Sequence, residues 1–400
     1  MICIDSLQIS LNRMLLLAVG LWPYQQSNLV QFQLILFLTI LTSFIIFQFT
    51  AFLTSKCTAD LFINVFSSAL LYIFFFIKYI SFYINIKVVK YLLEQLQNIY
   101  NELTDENEIS ILRKYGGYAE RLTALTILLI VLIAPGPTIY VFCPHFFNVL
   151  LSLNESRYPL KKRIIVLEYF VDWDKYYYLI MLHGVLALFI GIVVMLAIGI
   201  ILMVYQLYAC GMFRIARIVC SYRIEQAMAV GNLRKGNLQN KNLIYKKLIR
   251  AVDMHRKAMK FSDLSISRFK IMLSFIIVIG VSCTTLNFFR LFQELSVEYD
   301  VAQLILPLTS LTILISCTLI GNFAGQQIID HNNDVFATAY NIEWYTTSLS
   351  VQKMILFLLQ RSIKPFNINI AGLIIGSLEN AATLISTAIS YFTVLRSTRT

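Results

Sequence analysis

Six long stretches of this chain carry no charged residue, and nothing restricts its fold more. They are Met14–Ser55, Leu61–Ile77, Leu122–Asn154, Tyr176–Phe213, Ile271–Phe289 and Val301–Ile329. Apolar runs of roughly 18 residues or more mark helices able to cross a hydrocarbon core about 30 Å thick. A seventh stretch, Phe366–Leu395, is apolar but rich in Gly, Ser, Thr and Asn and holds Glu379. Only 14% of the residues are charged, against about 25% in soluble domains. The expectation is an all-α membrane protein with seven transmembrane helices. A β-barrel would need alternating ten-residue strands, and the sequence does not supply them.

The formal charge of +11 is concentrated, not spread. Twelve Lys and Arg fall between Arg214 and Lys260, after the fourth span, whereas residues 291–303 after the fifth span have none. Basic short loops stay in the cytoplasm, so the chain is expected to have an intracellular N-terminus and an extracellular C-terminus. This placement points to membrane lipid and away from nucleic acid. One loop disagrees, with Arg157, Lys161, Lys162, Arg163 and Lys175 on the outer side. Asn154-Glu155-Ser156 in that loop is a candidate glycosylation site at Asn154 and fits an outer position.

Along the chain, residues 1–30 read as an interfacial or re-entrant segment with Trp22 and Tyr24 at headgroup level. Lys78 falls deep in the second span. It reads either as a snorkelling side chain or as a cationic floor under a binding cavity. Pro135-Gly136-Pro137 breaks the third span, and a bend there opens room between helices. The fourth span stays uncharged for about 57 Å of helix, well beyond the bilayer, so it projects past the membrane. His183 in it reads as a hydrogen-bonded interior histidine or as a ligand contact. In the basic loop, Leu248, Val252, His255 and Met259 share one helical face, and Asp253 and Lys257 form an i,i+4 pair. The sixth and seventh spans hold Gly321-x-x-x-Gly325 and Gly372-x-x-x-Gly376, both helix-packing spacings.

The hydroxyl-rich last span has two readings. Small residues let helices approach closely, and a ring of such helices lines a wet pore. Ser390, Val394 and Thr398 lie four residues apart and share a stripe, in which Val394 could close a pore by dewetting. Enzyme chemistry has no support: there is no H-E-x-x-H, G-x-S-x-G or P-loop pattern, and seven scattered Cys form no C-x-x-C pair. No metal or cofactor is expected.

The tail carries the most specific signal. Gly325-Gln326, Tyr340-Asn341, Trp344-Tyr345, Gln352-Lys353, Arg361, Ser377-Leu378-Glu379 and Ser390-Tyr391-Phe392-Thr393-Val394 resemble the insect odorant receptors, in particular the ant and wasp type. Gly20-Leu21-Trp22-Pro23 and Glu168-Tyr169-Phe170 are similar too, whereas Ala381 stands where a large aromatic is usual. The resemblance implies an odorant-gated, non-selective cation channel (Na, K, Ca). It would sit in the plasma membrane of olfactory sensory neurons, as a heterotetramer with an odorant co-receptor. It implies a pore lined by the last helix, with Glu379, Ser390, Val394 and Thr398 along it. It also implies a cytoplasmic subunit anchor that includes Tyr340, Trp344, Tyr345 and Arg361.

Residues 1–325, with a basic cytoplasmic loop at about 211–265, would then hold the ligand. Residues 326–400 would supply the anchor and pore. Outer-half placement at helical spacing nominates Ile73, Phe74, Ile77, Ile133, Gly136, Tyr140, Tyr178, Met181, Val185 and Phe289 as contacts for a small volatile or hydrocarbon-like ligand. Each is also readable as ordinary helix-bundle core. A gustatory-receptor-like channel is the near rival. A G-protein-coupled receptor is the far one, lacking N-P-x-x-Y and Asp/Glu-Arg-Tyr here.

Overall fold

The computed structural model describes residues 7–25, 27–133, 166–229, 238–297, 301–341, 344–346, 348–363, 369–370 and 374–398. The third span's Pro135-Gly136-Pro137 break, Tyr140 and Asn154 fall outside them.

Helix α1 (Ser10–Ala18) ends in a left-handed glycine cap. Gly20 has φ +69°, the Gly20 N–H donates to Leu17 O at 3.1 Å, and the Leu21 N–H donates to Leu16 O at 2.8 Å. These two bonds satisfy the last carbonyls of the helix, which is the physical role of the glycine in Gly20-Leu21-Trp22-Pro23. Trp22 is not at a lipid surface as expected: it is 7% exposed and packs on Tyr24 with ring centres 5.7 Å apart. The cap turns the chain inward, where the Tyr79 hydroxyl donates to Val19 O at 2.7 Å.

Next come α2 (Asn28–Phe49), a short α3 (Ala51–Thr54) and α4 (Ala59–Ile84). Ser27 and Thr58 cap α2 and α4, accepting from Val30 N and Leu61 N. A hinge at Asn85 leads into α5 (Ile86–Asn101), and α6 spans Glu106–Ile133. Helix α7 (Trp173–Ala229) runs 57 residues, about 85 Å at 1.5 Å per residue. It packs against α1, α2, α4 and α6 and later against α8 and α10, so the bundle is built around it.

The basic segment, expected as a loop with one helix inside, is largely helical. Helix α7 continues to Ala229, and α8 (Leu238–Ser267) folds back along it. The expected face is present: Leu248, His255 and Met259 are buried, and Val252 is partly so. Lys257 Nζ lies 3.2 Å from Asp253 Oδ2 and also pairs with Glu102. Burial works to raise the Asp253 pKa, but bonds from Lys257 and Arg256 outweigh it and hold the carboxyl low. Burial also lowers the His255 pKa, against a 3.0 Å bond between its Nε2 and Asn332 Oδ1. Glu108 is buried and accepts from Arg250 at 2.6 Å.

Helices α9 (Lys270–Val297) and α10 (Val301–Asn341) follow, the latter unbroken through Pro307. After a 3-10 turn (Trp344–Thr346), α11 (Leu349–Ile363) buries Val351, Ile355, Leu358 and Leu359. The expected thirty-residue last span is shorter as a helix. Two-residue strands β1 (Asn369–Ile370) and β2 (Ile374–Ile375) pair antiparallel, and only then does α12 (Leu378–Ser397) begin. Among the described residues, five helices are long and apolar enough to cross a membrane: Asn28–Thr54, Ala59–Ile84, Lys175–Val219, Lys270–Ser296 and Leu304–Asn341. Helix α12 has the length but carries Glu379, Arg396 and six Ser or Thr.

Candidate functional site

A cavity of about 410 Å³ lies among α4, α7, α8, α9, α10 and α12, with Thr126 of α6 also lining it. That volume is within the roughly 300–1,000 Å³ usual for small-molecule sites. Most of its wall is aliphatic: Leu188, Ile192, Met195 and Ile200 from α7, Met272, Leu273 and Ile276 from α9, and Ile313 and Leu314 from α10. Helical periodicity puts these side chains on facing stripes, while glycines leave the space open. A Cβ added at Gly199 or Gly321 would meet nothing within 4 Å. Polar groups sit at a few points of the wall. Gln206 Nε2 donates to Ser265 Oγ at 2.6 Å and Gln206 Oε1 accepts from Ser262 at 2.8 Å, tying α7 to α8. Lys78 of α4 is buried, its ammonium 5.4 Å from the Phe74 ring centre.

Helix α12 closes one side through Asn380, Leu384 and Ile385. Its first turn is held by α10. Asn322 Oδ1 accepts from Ser377 N at 3.2 Å and from Asn380 Nδ2 at 3.1 Å, and Gln326 Oε1 accepts from Leu378 N at 3.4 Å. Ser377 itself caps Asn380 N. Helix-start N–H groups have no partner within the helix, so α10 supplies what α12 lacks. The backbones touch here: a Cβ on Gly325 would lie 2.3 Å from Gly376 O. Further along, Thr285 Oγ1 donates to Ala388 O at 3.2 Å, and Arg396 stacks over Phe292 at 4.2 Å.

The opposite face of α12 is uncovered. Glu379, Thr383, Ser386, Ser390, Val394 and Thr398 follow one another at three- and four-residue steps and are all exposed. Thr383 and Ser390 donate back to Glu379 O and Ser386 O, so these hydroxyls keep a partner while presenting their lone pairs outward.

Comparison with known proteins decides the family. The family model described as 7tm Odorant receptor matches residues 58–389. The chain belongs to the insect odorant receptor family. A stretch of 74 residues, 18% of the chain, is 34% identical to Odorant receptor 49a of Drosophila melanogaster, and the match spans 19% of that relative. The fold matches the olfactory receptor OR5 of Machilis hrabei solved in complex with eugenol. There the TM-score is 0.76 at 14% identity, covering 99% of this chain and 97% of that one. A structure of OR5 described without eugenol gives 0.71 at 15% identity, covering 97% of each. This odorant receptor is therefore a multi-pass membrane protein, not an enzyme.

In this receptor the ligand contacts nominated from sequence are only partly gathered. Phe74 lines the cavity. Ile73, Ile77, Met181 and Val185 are half-buried, Phe289 is buried and Tyr178 is exposed, and none of these lines the cavity. On α7 the cavity begins at Leu188, one turn deeper than Val185. Ile133 ends α6; Gly136 and Tyr140 lie outside the described residues. His183 does not line the cavity and is hydrogen-bonded within the bundle: Tyr169 Oη is 2.6 Å from Nδ1, and Ser43 Oγ is 3.1 Å from Nε2. Tyr340 and Tyr345 are exposed and Trp344 is half-buried against the core; Arg361 is exposed. Sequence reasoning missed Gln206 and Asn322. An amide inside a long apolar run was the available signal, since a polar group in hydrocarbon needs a partner.

Proposed function

We propose that the chain is a tuning subunit of an odorant-gated cation channel. One observation carries this reading: the helix that walls the cavity with Leu384 and Ile385 also bears the uncovered stripe from Glu379 to Thr398. A small, mostly apolar ligand in the cavity would touch the pore helix directly. Eugenol, bound to the related OR5, is of that class. Ligand shifts a closed–open equilibrium only by its differential affinity for the two states, and contact with α12 and its Asn322 clamp supplies one. Around a central axis, four such stripes would make a wet, cation-attracting path, with Glu379 at its inner end and Val394 as the constriction. The exposed Tyr340, Tyr345 and Arg361, with Trp344, would form the subunit anchor, shared with a co-receptor in a heterotetramer. The N-terminus would be cytoplasmic and the C-terminus extracellular, in the plasma membrane of olfactory sensory neurons.

Two measurements test this. In excised patches without nucleotide, agonist should evoke cation currents, and a thiol reagent should modify the Val394→Cys receptor faster with agonist than without. Equal rates in both states count against the gate, and currents that need added nucleotide count against the channel. Gly321→Leu should fill cavity space, since a Cβ there would meet nothing within 4 Å. Agonists found in an odorant panel should then lose on the order of tenfold in potency, since burying a few methylenes less is worth about 1–2 kcal/mol. Unchanged dose–response curves would place the ligand elsewhere.

A further inference from the structure

We propose that the cavity takes a single-chain carboxylate, with Lys78 as its counter-ion. This rests on the cavity being the ligand site and adds the ligand's chemical class. Lys78 is 9% exposed and lines the cavity wall. Among the described residues, no other Lys, Arg, His, Asp or Glu lines it. Among the described residues no hydrogen bond or ion pair reaches its ammonium; the Phe74 ring face is its neighbour. A cation taken out of water without an anion costs several kcal/mol, so the site is electrostatically incomplete until a negative group arrives.

The rest of the wall selects what carries that group. Leu188, Ile192, Met195 and Ile276 offer aliphatic surface, which favours an alkyl tail by about 25 cal/mol per Å² buried. A polar head beside one fixed cation and an apolar tail along the stripes describes a medium-chain carboxylate. An alcohol or ester of the same length keeps the tail contacts and loses the ion pair. Lys78 is thus a specificity-determining residue for the head group, separate from the residues that grip the tail.

The test is direct binding to the full-length receptor in phosphatidylcholine nanodiscs, with nonanoate, 1-nonanol and methyl nonanoate as probes. Nonanoate should bind at least about tenfold more tightly than the other two, a difference of about 1.4 kcal/mol. Lys78→Met should erase that preference and leave 1-nonanol within about twofold, while Lys78→Arg keeps it, as expected for a charge-assisted bond. The proposal is overturned if the wild type shows no carboxylate preference, or if Lys78→Met retains it. It is also overturned if phosphatidylglycerol in the disc abolishes nonanoate binding, because a lipid phosphate is then the occupant. The cavity-filling Gly321→Leu separates the layers. If it weakens all three probes while Lys78→Met changes nothing, only the carboxylate assignment falls. If it weakens none, the cavity reading falls with it.

Discussion

Gly325→Ala should leave a receptor that still binds its ligand but scarcely conducts. The added Cβ would sit 2.3 Å from Gly376 O and 2.8 Å from Gly376 C. Both are backbone atoms, so no side chain can swing aside. The turn ahead of α12 must move, and with it the bonds from Ser377 N, Asn380 and Leu378 N to Asn322 and Gln326. Overpacking of this kind costs about 1–3 kcal/mol, and each helix-start N–H left without its acceptor adds to that. Maximal agonist current should fall by more than about tenfold, the equivalent of 1.4 kcal/mol in the opening equilibrium. Nanodisc binding should change far less, because the aliphatic wall residues of α7 and α9 take no part in this contact. Patch-clamp amplitudes set against surface expression read the effect. A variant with wild-type currents would show that the α10–α12 contact does not hold α12 in place for conduction.

Arg250→Met should be the most destabilising single change at the basic end. Glu108 is buried, its side chain 6% exposed, and Arg250 Nη2 is 2.6 Å from its Oε2. Removing the cation strands a buried carboxylate, which typically costs about 3–5 kcal/mol. The Arg250 side chain is itself 38% exposed, so water screens part of this and the lower end applies. The melting temperature of the detergent-solubilised receptor should drop by several degrees. Glu108→Gln in the same chain should recover most of the loss, because the amide needs no counter-ion. A double variant no better than Arg250→Met alone would mean that the guanidinium acts through packing and not through charge.

Much of the architecture was readable as uncharged runs and helical faces. The caps came only with the structure: Gly20 takes a left-handed conformation that other residues enter at a cost. Ser27, Thr58 and Ser377 each supply the acceptor that an orphan helix-start N–H needs. The Leu248, His255 and Met259 face was visible because a helix repeats every 3.6 residues wherever it packs. The cavity was less legible. Ten contacts were nominated by depth and spacing, and of the seven whose side chains the structure describes, Phe74 lines it. Periodicity says which face of a helix is apolar, but not at what height two faces fail to meet. Gly199 and Gly321 make that gap, and a glycine in a span reads equally as close packing. Gly325, four residues from Gly321, does pack closely against Gly376. The same motif thus holds one glycine that opens space and one that removes it.

Charge distribution and uncharged length determined by themselves that this chain crosses a membrane as helices. The energy of exposing a backbone or a charge to hydrocarbon does not depend on which neighbours are present. The tail motifs pointed to the family in the same local way, ahead of the family-model match over residues 58–389. Tertiary structure alone decided that Lys78 faces an apolar cavity without an ion-pair partner among the described residues. It alone decided that Asn322 reaches across to cap α12, and that this helix is shared between the cavity and an uncovered polar stripe. Those facts depend on where residues some 50 to 300 positions apart come to rest. Packing sets that distance, and no single stretch of sequence encodes it.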